Sequence, residues 1–127
     1  MKMAFSIKGI VERGFGEGAY FVSMEHYKRE IEEKLGFSPY PGTLNLKVGK
    51  KEMLAVKKIA SIKLSEFSST GKKFGGVDCC RASVGKIKGA IIIPDLTRHE
   101  NVVEFIAPVH VMSKLNLNEG DFVDIEI

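Results

Sequence analysis

Two periods of hydrophobicity run along this chain. From Thr43 to Val48 the period is two: Leu44, Leu46 and Val48 alternate with Thr43, Asn45 and Lys47, as in a strand with one buried face. From Met24 to Leu35 the period is helical, because Met24, Tyr27, Ile31 and Leu35 fall on one stripe. Ser23 is a candidate N-cap for that helix, with His26 at N3, so the capping box is incomplete. Gly36 stands where helices end in a left-handed residue. Glu25 with Arg29 and Glu30 with Lys34 are i,i+4 pairs for the wet side.

Strands are predicted at Ile7 to Val11, Tyr20 to Ser23, Ile62 to Phe67, Lys73 to Val84, Ile87 to Ile93 and Val102 to Ala107. A short helix is predicted over Met53 to Ile59. A helical turn after Pro108 is expected to bury Val109, Met112 and Leu115. The turn Asn118-Glu119-Gly120-Asp121 leads to a strand with Val123, Ile125 and Ile127 facing inward. Many short strands separated by turn signals predict a closed barrel or a sandwich.

Composition narrows this reading. The 127 residues suit one domain. With 44% hydrophobic and 28% charged residues, the chain reads as globular. No apolar run approaches the ~20 residues of a membrane span, and Met1 to Ser6 lacks the apolar core of a signal peptide. A cytoplasmic location without membrane association is therefore expected. The net charge of +3 suits an anionic small molecule and is too mild to argue for nucleic acid. Lys50, Lys51, Lys57 and Lys58 read as a solvated face. Cys79 and Cys80 are adjacent, so on a strand they point to opposite faces; reduced, structural thiols are expected.

Three segments carry candidate chemistry. In Gly14-Phe15-Gly16-Glu17-Gly18, glycines at alternate positions let successive backbone N–H groups face one concavity suited to phosphate. A strand is expected next, which argues against a Rossmann fingerprint, and no Walker A lysine closes the loop. A hairpin needing positive φ reads the same residues equally well. In Pro41-Gly42-Thr43-Leu44-Asn45-Leu46, Thr43 and Asn45 share the polar face, ~6.5–7 Å apart along a strand. Their hydroxyl and amide oxygens are hard donors suited to Mg²⁺; a solvent-facing threonine and a locally bonded asparagine remain the alternative. In Pro94 to Pro108, a polar loop holding Thr97 and His99 precedes Glu104, a carboxylate inside the apolar run Val102 to Ile106. It points either to water or into a cleft. His99 and His110 are too distant in sequence to define a metal site.

Taken together, Gly14 to Gly18 with Tyr20-Phe21, Leu35-Gly36-Phe37, Pro41 to Leu46 and Glu104-Phe105-Ile106-Ala107-Pro108 resemble the CTP-dependent riboflavin kinases of archaeal type. The resemblance implies a mainly β fold, a six-stranded cradle-loop β-barrel with one long helix and short helical segments. It implies one riboflavin kinase domain over residues 1–127, without the winged-helix domain that some family members carry. It implies phosphate binding by Gly14, Phe15, Gly16, Glu17, Gly18 and Ala19, and nucleotide binding by Val109, His110, Val111 and Met112. It implies magnesium on Thr43 and Asn45, and riboflavin/FMN contacts from Thr97 and Glu104, with Glu104 as the catalytic base. CTP/CDP is the other ligand, and the chain is expected to act as a monomer. Relatives carry a basic residue where this chain has Ala19, so Lys8, Arg13 or a nearby lysine would have to supply that charge. The alternative, from another class, is a non-enzymatic swapped-barrel regulator that binds DNA.

Overall fold

The computed structural model describes residues 5–14, 17–94 and 101–127. Its strands are β1 (Ser6–Glu12), β2 (Leu44–Lys47), β3 (Ile62–Leu64), β4 (Phe67–Ser69), β5 (Lys72–Phe74), β6 (Val77–Val84), β7 (Ile87–Pro94), β8 (Val102–Ile106) and β9 (Phe122–Glu126). Its helices are α1 (Glu17–Ser23), α2 (Glu25–Leu35), α3 (Lys50–Ile59) and α4 (Val111–Lys114). Six strands run in the order β6-β7-β8-β2-β1-β9, and β9 returns to β6 to close an antiparallel barrel. The closing seam is short, Ser83 opposite Glu126 and Val84 opposite Ile125. β3 takes the other part of that β6 edge, pairing with Val77 to Cys79. β4 and β5 form a separate hairpin.

Alternation along the strands sorts the apolar residues into two cores. Leu44, Leu46, Ile91, Ile93, Val103, Phe105, Val123 and Ile125 line the barrel interior together with Met53 and Val56 of α3. On the outside, Tyr27, Ile31 and Leu35 of α2 pack with Val77, Cys79, Ala90, Ile92 and Ile106. β6, β7 and β8 are thus buried on both faces, and Cys79 and Cys80 belong to different cores. Both thiols are free. Burial pushes Cys79 up to about 12 and Cys80 to about 11, since a thiolate loses its hydration there.

α2 ends as its sequence implies, with Gly36 at φ 84° and its N–H on the Ile31 carbonyl. Arg81 on β6 donates to the Leu35 and Lys34 carbonyls at 2.8 and 3.2 Å, placing a cation at the negative helix end. Lys34 pairs with Glu30 at 3.1 Å.

Several expectations need correction. Tyr20 to Ser23 is not a strand but the end of α1. The aromatic and β-branched residues there suggested a strand, yet Phe21 stacks on Tyr27 and Val22 is buried in the outer core, and tertiary packing overrides weak propensity. Ser23 does not cap α2. Its Oγ donates to the Tyr20 carbonyl, and Met24 is the N-cap. Ile62 to Phe67 and Lys73 to Val84 are each divided between two strands. After Pro108 the fully buried residue is Val111, while Val109, Met112 and Leu115 are half-buried. Ile127 is half-buried as well. Thr97 and His99, with Phe15 and Gly16, lie outside the described residues. No helix among the described residues is long and apolar enough to cross a membrane.

Candidate active site

The inward positions of β2 are Leu44 and Leu46, so Asn45 must point out of the barrel. The same parity turns Glu104 outward between Val103 and Phe105. Register then brings them together, because Asn45 pairs directly with Glu104 across β2 and β8. On the other side of Asn45 the partner is Glu12 of β1. Beyond Glu104 the partner is Ile92 of β7. A row Glu12, Asn45, Glu104, Ile92 therefore crosses the outer wall, with directly opposed side chains ~4.5–5.5 Å apart at Cβ. It joins a polar patch to the edge of the outer apolar core.

Thr43 sits one step before β2, and its Oγ1 donates to Glu104 Oε1 at 3.1 Å. This bond fixes the carboxylate, and it commits the hydroxyl proton so that the oxygen lone pairs are left for another partner. Gly14 closes the arrangement from β1. A β-carbon at Gly14 would overlap the Asn45 Nδ2 and come within 3.0 Å of its Cγ. Any side chain at 14 would displace the Asn45 amide, so glycine is what leaves the amide in this position. Gly14, two residues beyond β1, thus lies against Asn45.

Beside Thr43 a cavity of about 250 Å³ is lined by Tyr40 to Leu44 on one side and by Val109, His110, Val111 and Met112 on the other. The two segments expected to serve nucleotide and metal thus face a common space. The carbonyls of His110, Val111 and Met112 accept from the Lys114, Leu115 and Leu117 N–H groups. The Val111 side chain belongs to the barrel core, which leaves backbone to face a ligand at that position.

Of the expected site residues, the structure brings together Gly14, Thr43, Asn45 and Glu104, and places Val109 to Met112 across the cavity from Thr43. Glu17, Gly18 and Ala19 begin α1 rather than forming part of a turn between two strands. A helix does follow the glycines, but it has seven residues and runs into another helix, and the barrel strands pair antiparallel, so no βαβ unit exists here. Of the cations named to replace a basic residue at position 19, Arg13 directly precedes Gly14. Lys8 is in register with Asp124 on the β9 side, ~13 Å along β1 from Glu12. Glu12 was not singled out from the sequence, where it reads as an ordinary outward charge. Tyr40 was likewise missed.

The family model CTP-dep_RFKase, described as domain of unknown function DUF120, matches residues 11–127. This chain belongs to the CTP-dependent riboflavin kinase family. Proteins named riboflavin kinase from Archaeoglobus fulgidus and Pyrobaculum aerophilum are 43% and 41% identical to it over 95% and 94% of its length. One from Saccharolobus solfataricus is 38% identical over 98% of the chain. The chain spans 54% and 59% of the first two relatives and 74% of the third.

Proposed function

We propose that this chain phosphorylates riboflavin with CTP as donor, giving FMN and CDP. The observation that carries the reading is the convergence of Gly14 just past β1, Thr43 and Asn45 at the start of β2, and Glu104 of β8 onto one outward patch. A DNA-binding regulator would have no use for a carboxylate fixed between a threonine and an asparagine.

The donor set fits magnesium. Thr43 Oγ1 has its proton turned to Glu104, and the Asn45 amide occupies the space that a side chain at Gly14 would take. Both supply neutral, hard oxygens, and no cluster of three His, Cys, Asp or Glu side chains suited to a metal exists among the described residues. Thr43 and Asn45 would hold the ion together with the nucleotide's phosphates, where it would neutralise charge on the transferring group. With neutral protein ligands, the charge that retains the ion comes mainly from the nucleotide.

Phosphoryl transfer depends on positioning and electrostatics more than on covalent catalysis. The turn from Gly14 into α1 supports the phosphates. Val109 to Met112 hold the nucleoside across the cavity. Thr97 and Glu104 hold riboflavin, with Glu104 on its terminal ribityl hydroxyl. That oxygen attacks the γ-phosphorus, the bond from phosphorus to the β-phosphate oxygen breaks, and its electron pair leaves with CDP. The hydroxyl proton passes to the Glu104 carboxylate.

The test is direct. The chain is mixed with riboflavin, Mg²⁺ and each of CTP, UTP, GTP and ATP, and FMN is measured. FMN is expected with CTP above the other donors. Equal rates with ATP would remove the base preference, and no FMN with any donor would remove the kinase reading.

A further inference from the structure

Tyr40 is an exposed aromatic residue held unusually firmly. It stands between Pro39, which is buried, and Pro41, so its backbone is restricted on both sides. Its N–H donates to the Ala107 carbonyl at 2.8 Å, and its own carbonyl accepts from Gly42 N–H at 2.7 Å. The ring folds back over Gly42, where a β-carbon would come within 3.2 Å of Cε1. The residue still remains 38% exposed. Hydrophobic burial alone does not account for such anchoring.

What the ring faces supplies the reason. It lies 5.0 Å from the His110 ring at an angle of 32°, within the range of favourable ring contacts. The His110 imidazole is in turn held by Ser113 through Nδ1. Both rings line the cavity that runs to Thr43. Two oriented rings in contact with each other, in the lining of a cavity that the hydroxyl-bearing Thr43 shares, match a ligand with a flat base and a phosphate tail.

We propose that Tyr40 and His110 form the wall against which the base of the nucleotide donor stacks, making Tyr40 a binding and specificity-determining residue. The inference rests on the nucleotide reading of the cavity. Tyr40 supplies the π face, while backbone groups of Val109 to Met112 meet the base edge. Because both rings are braced, the wall is set before the ligand arrives, and little side-chain entropy is lost on binding. A wall pinned by two prolines on one side and a helix start on the other limits the width of the base it accepts.

The test uses the intact chain with MgCDP, which binds without turnover. Side-chain NMR signals of Tyr40 and His110 are followed during titration, beside the Gly14 amide as a phosphate-side reporter. Ring-current shifts at both rings are expected. Shifts at Gly14 with none at Tyr40 or His110 would overturn the wall. Tyr40→Phe is expected to keep CDP affinity within about 3-fold, and Tyr40→Ala to weaken it roughly 5- to 100-fold, the range for loss of one base-stacking ring. The Tyr40→Ala loss is expected to be far smaller for Mg-pyrophosphate, which lacks a base. An equal loss for both would make Tyr40 merely structural and overturn the proposal, as would unchanged CDP affinity. Failure of the wild-type chain to bind CDP would overturn the wall and the nucleotide reading together. CDP binding with the expected shifts but no riboflavin phosphorylation would uphold the wall and overturn the kinase reading alone.

Discussion

Gly14 touches Asn45 so closely that the space for a single methyl group is already taken by the asparagine amide. The two residues are 31 positions apart, yet a side chain at position 14 would have to move the asparagine amide. Gly14→Ala should therefore act through Asn45. We expect kcat to fall at least 10-fold, with a change in the Mg²⁺ concentration needed for half-maximal rate and with the barrel still folded by circular dichroism. Wild-type kinetics with the fold retained would show that the amide position is not used.

Asn45→Ala should lower turnover strongly while leaving riboflavin affinity nearly intact. Removing a ligand at the metal reduces transition-state stabilisation by about 2–4 kcal/mol, a loss of ~30- to 1,000-fold. Steady-state rates across a Mg²⁺ series, beside riboflavin fluorescence quenching, separate the two effects. Full activity at limiting Mg²⁺ would mean that Asn45 holds no ion.

Glu104→Gln keeps size and one acceptor oxygen for Thr43 Oγ1, so the fold and CDP binding should persist. It cannot accept a proton. A general base contributes ~10²–10⁴-fold, and a loss of kcat in that range at saturating riboflavin supports that role. A loss below ~10-fold would leave Glu104 as a positioning group only, because loose phosphoryl-transfer transition states need little proton removal.

Glu30 provides a pH test remote from the site. The Ser65 N–H and hydroxyl each donate to Glu30 Oε1 at 2.7 Å, with Lys34 at 3.1 Å. The backbone bond from Ser65 leads in lowering its pKa from 4.5 to about 2. A lowered folded-state value means stability that is complete above about 4.5 and lost as pH falls toward about 2. The stability gap between wild type and Glu30→Gln, from urea unfolding, should stay level from pH 7 to 5 and shrink below that. A gap unchanged at pH 2 would contradict this.

Neither thiol should react in the native protein. With Cys79 at about 12 and Cys80 at about 11, thiolate is scarce and both side chains are buried. A thiol-specific disulfide reagent should modify neither at pH 8, and both after denaturation in urea. Fast labelling of the folded chain would place a thiol at the surface.

Local pattern carried part of this molecule into view. The alternation at Leu44 to Val48 put Thr43 and Asn45 on one face, and the same parity turned Glu104 away from Val103 and Phe105. The pairing of Asn45 with Glu104 has no local signal, because register between β2 and β8 is set by the whole barrel. Glu12 escaped notice for the same reason. Tyr20 to Ser23, the end of α1, reads as a strand because seven residues are too few for a 3.6-residue period to stand out, and the stacking partner of Phe21, Tyr27, belongs to the next helix. Tyr40 was hidden in a Pro-Tyr-Pro segment with no period at all. The close approach at Gly14 came into view only through the asparagine that it touches.

Strand order has a consequence for how this site comes into being on the ribosome. β1 needs β9 on one edge, so Ser6 to Ile10 must wait for residues 122–126 to leave the exit tunnel. β2 can pair with β1 early, but its other neighbour, β8, begins only at Val102. Until then Asn45 has Glu12 on one side and no Glu104 on the other, and the outer row is half built. Such distant pairings slow folding, because loop closure precedes the contacts that reward it. The nascent chain should thus be inert toward substrates until its final strand emerges, and assembly of the outer row should coincide with ring closure rather than precede it.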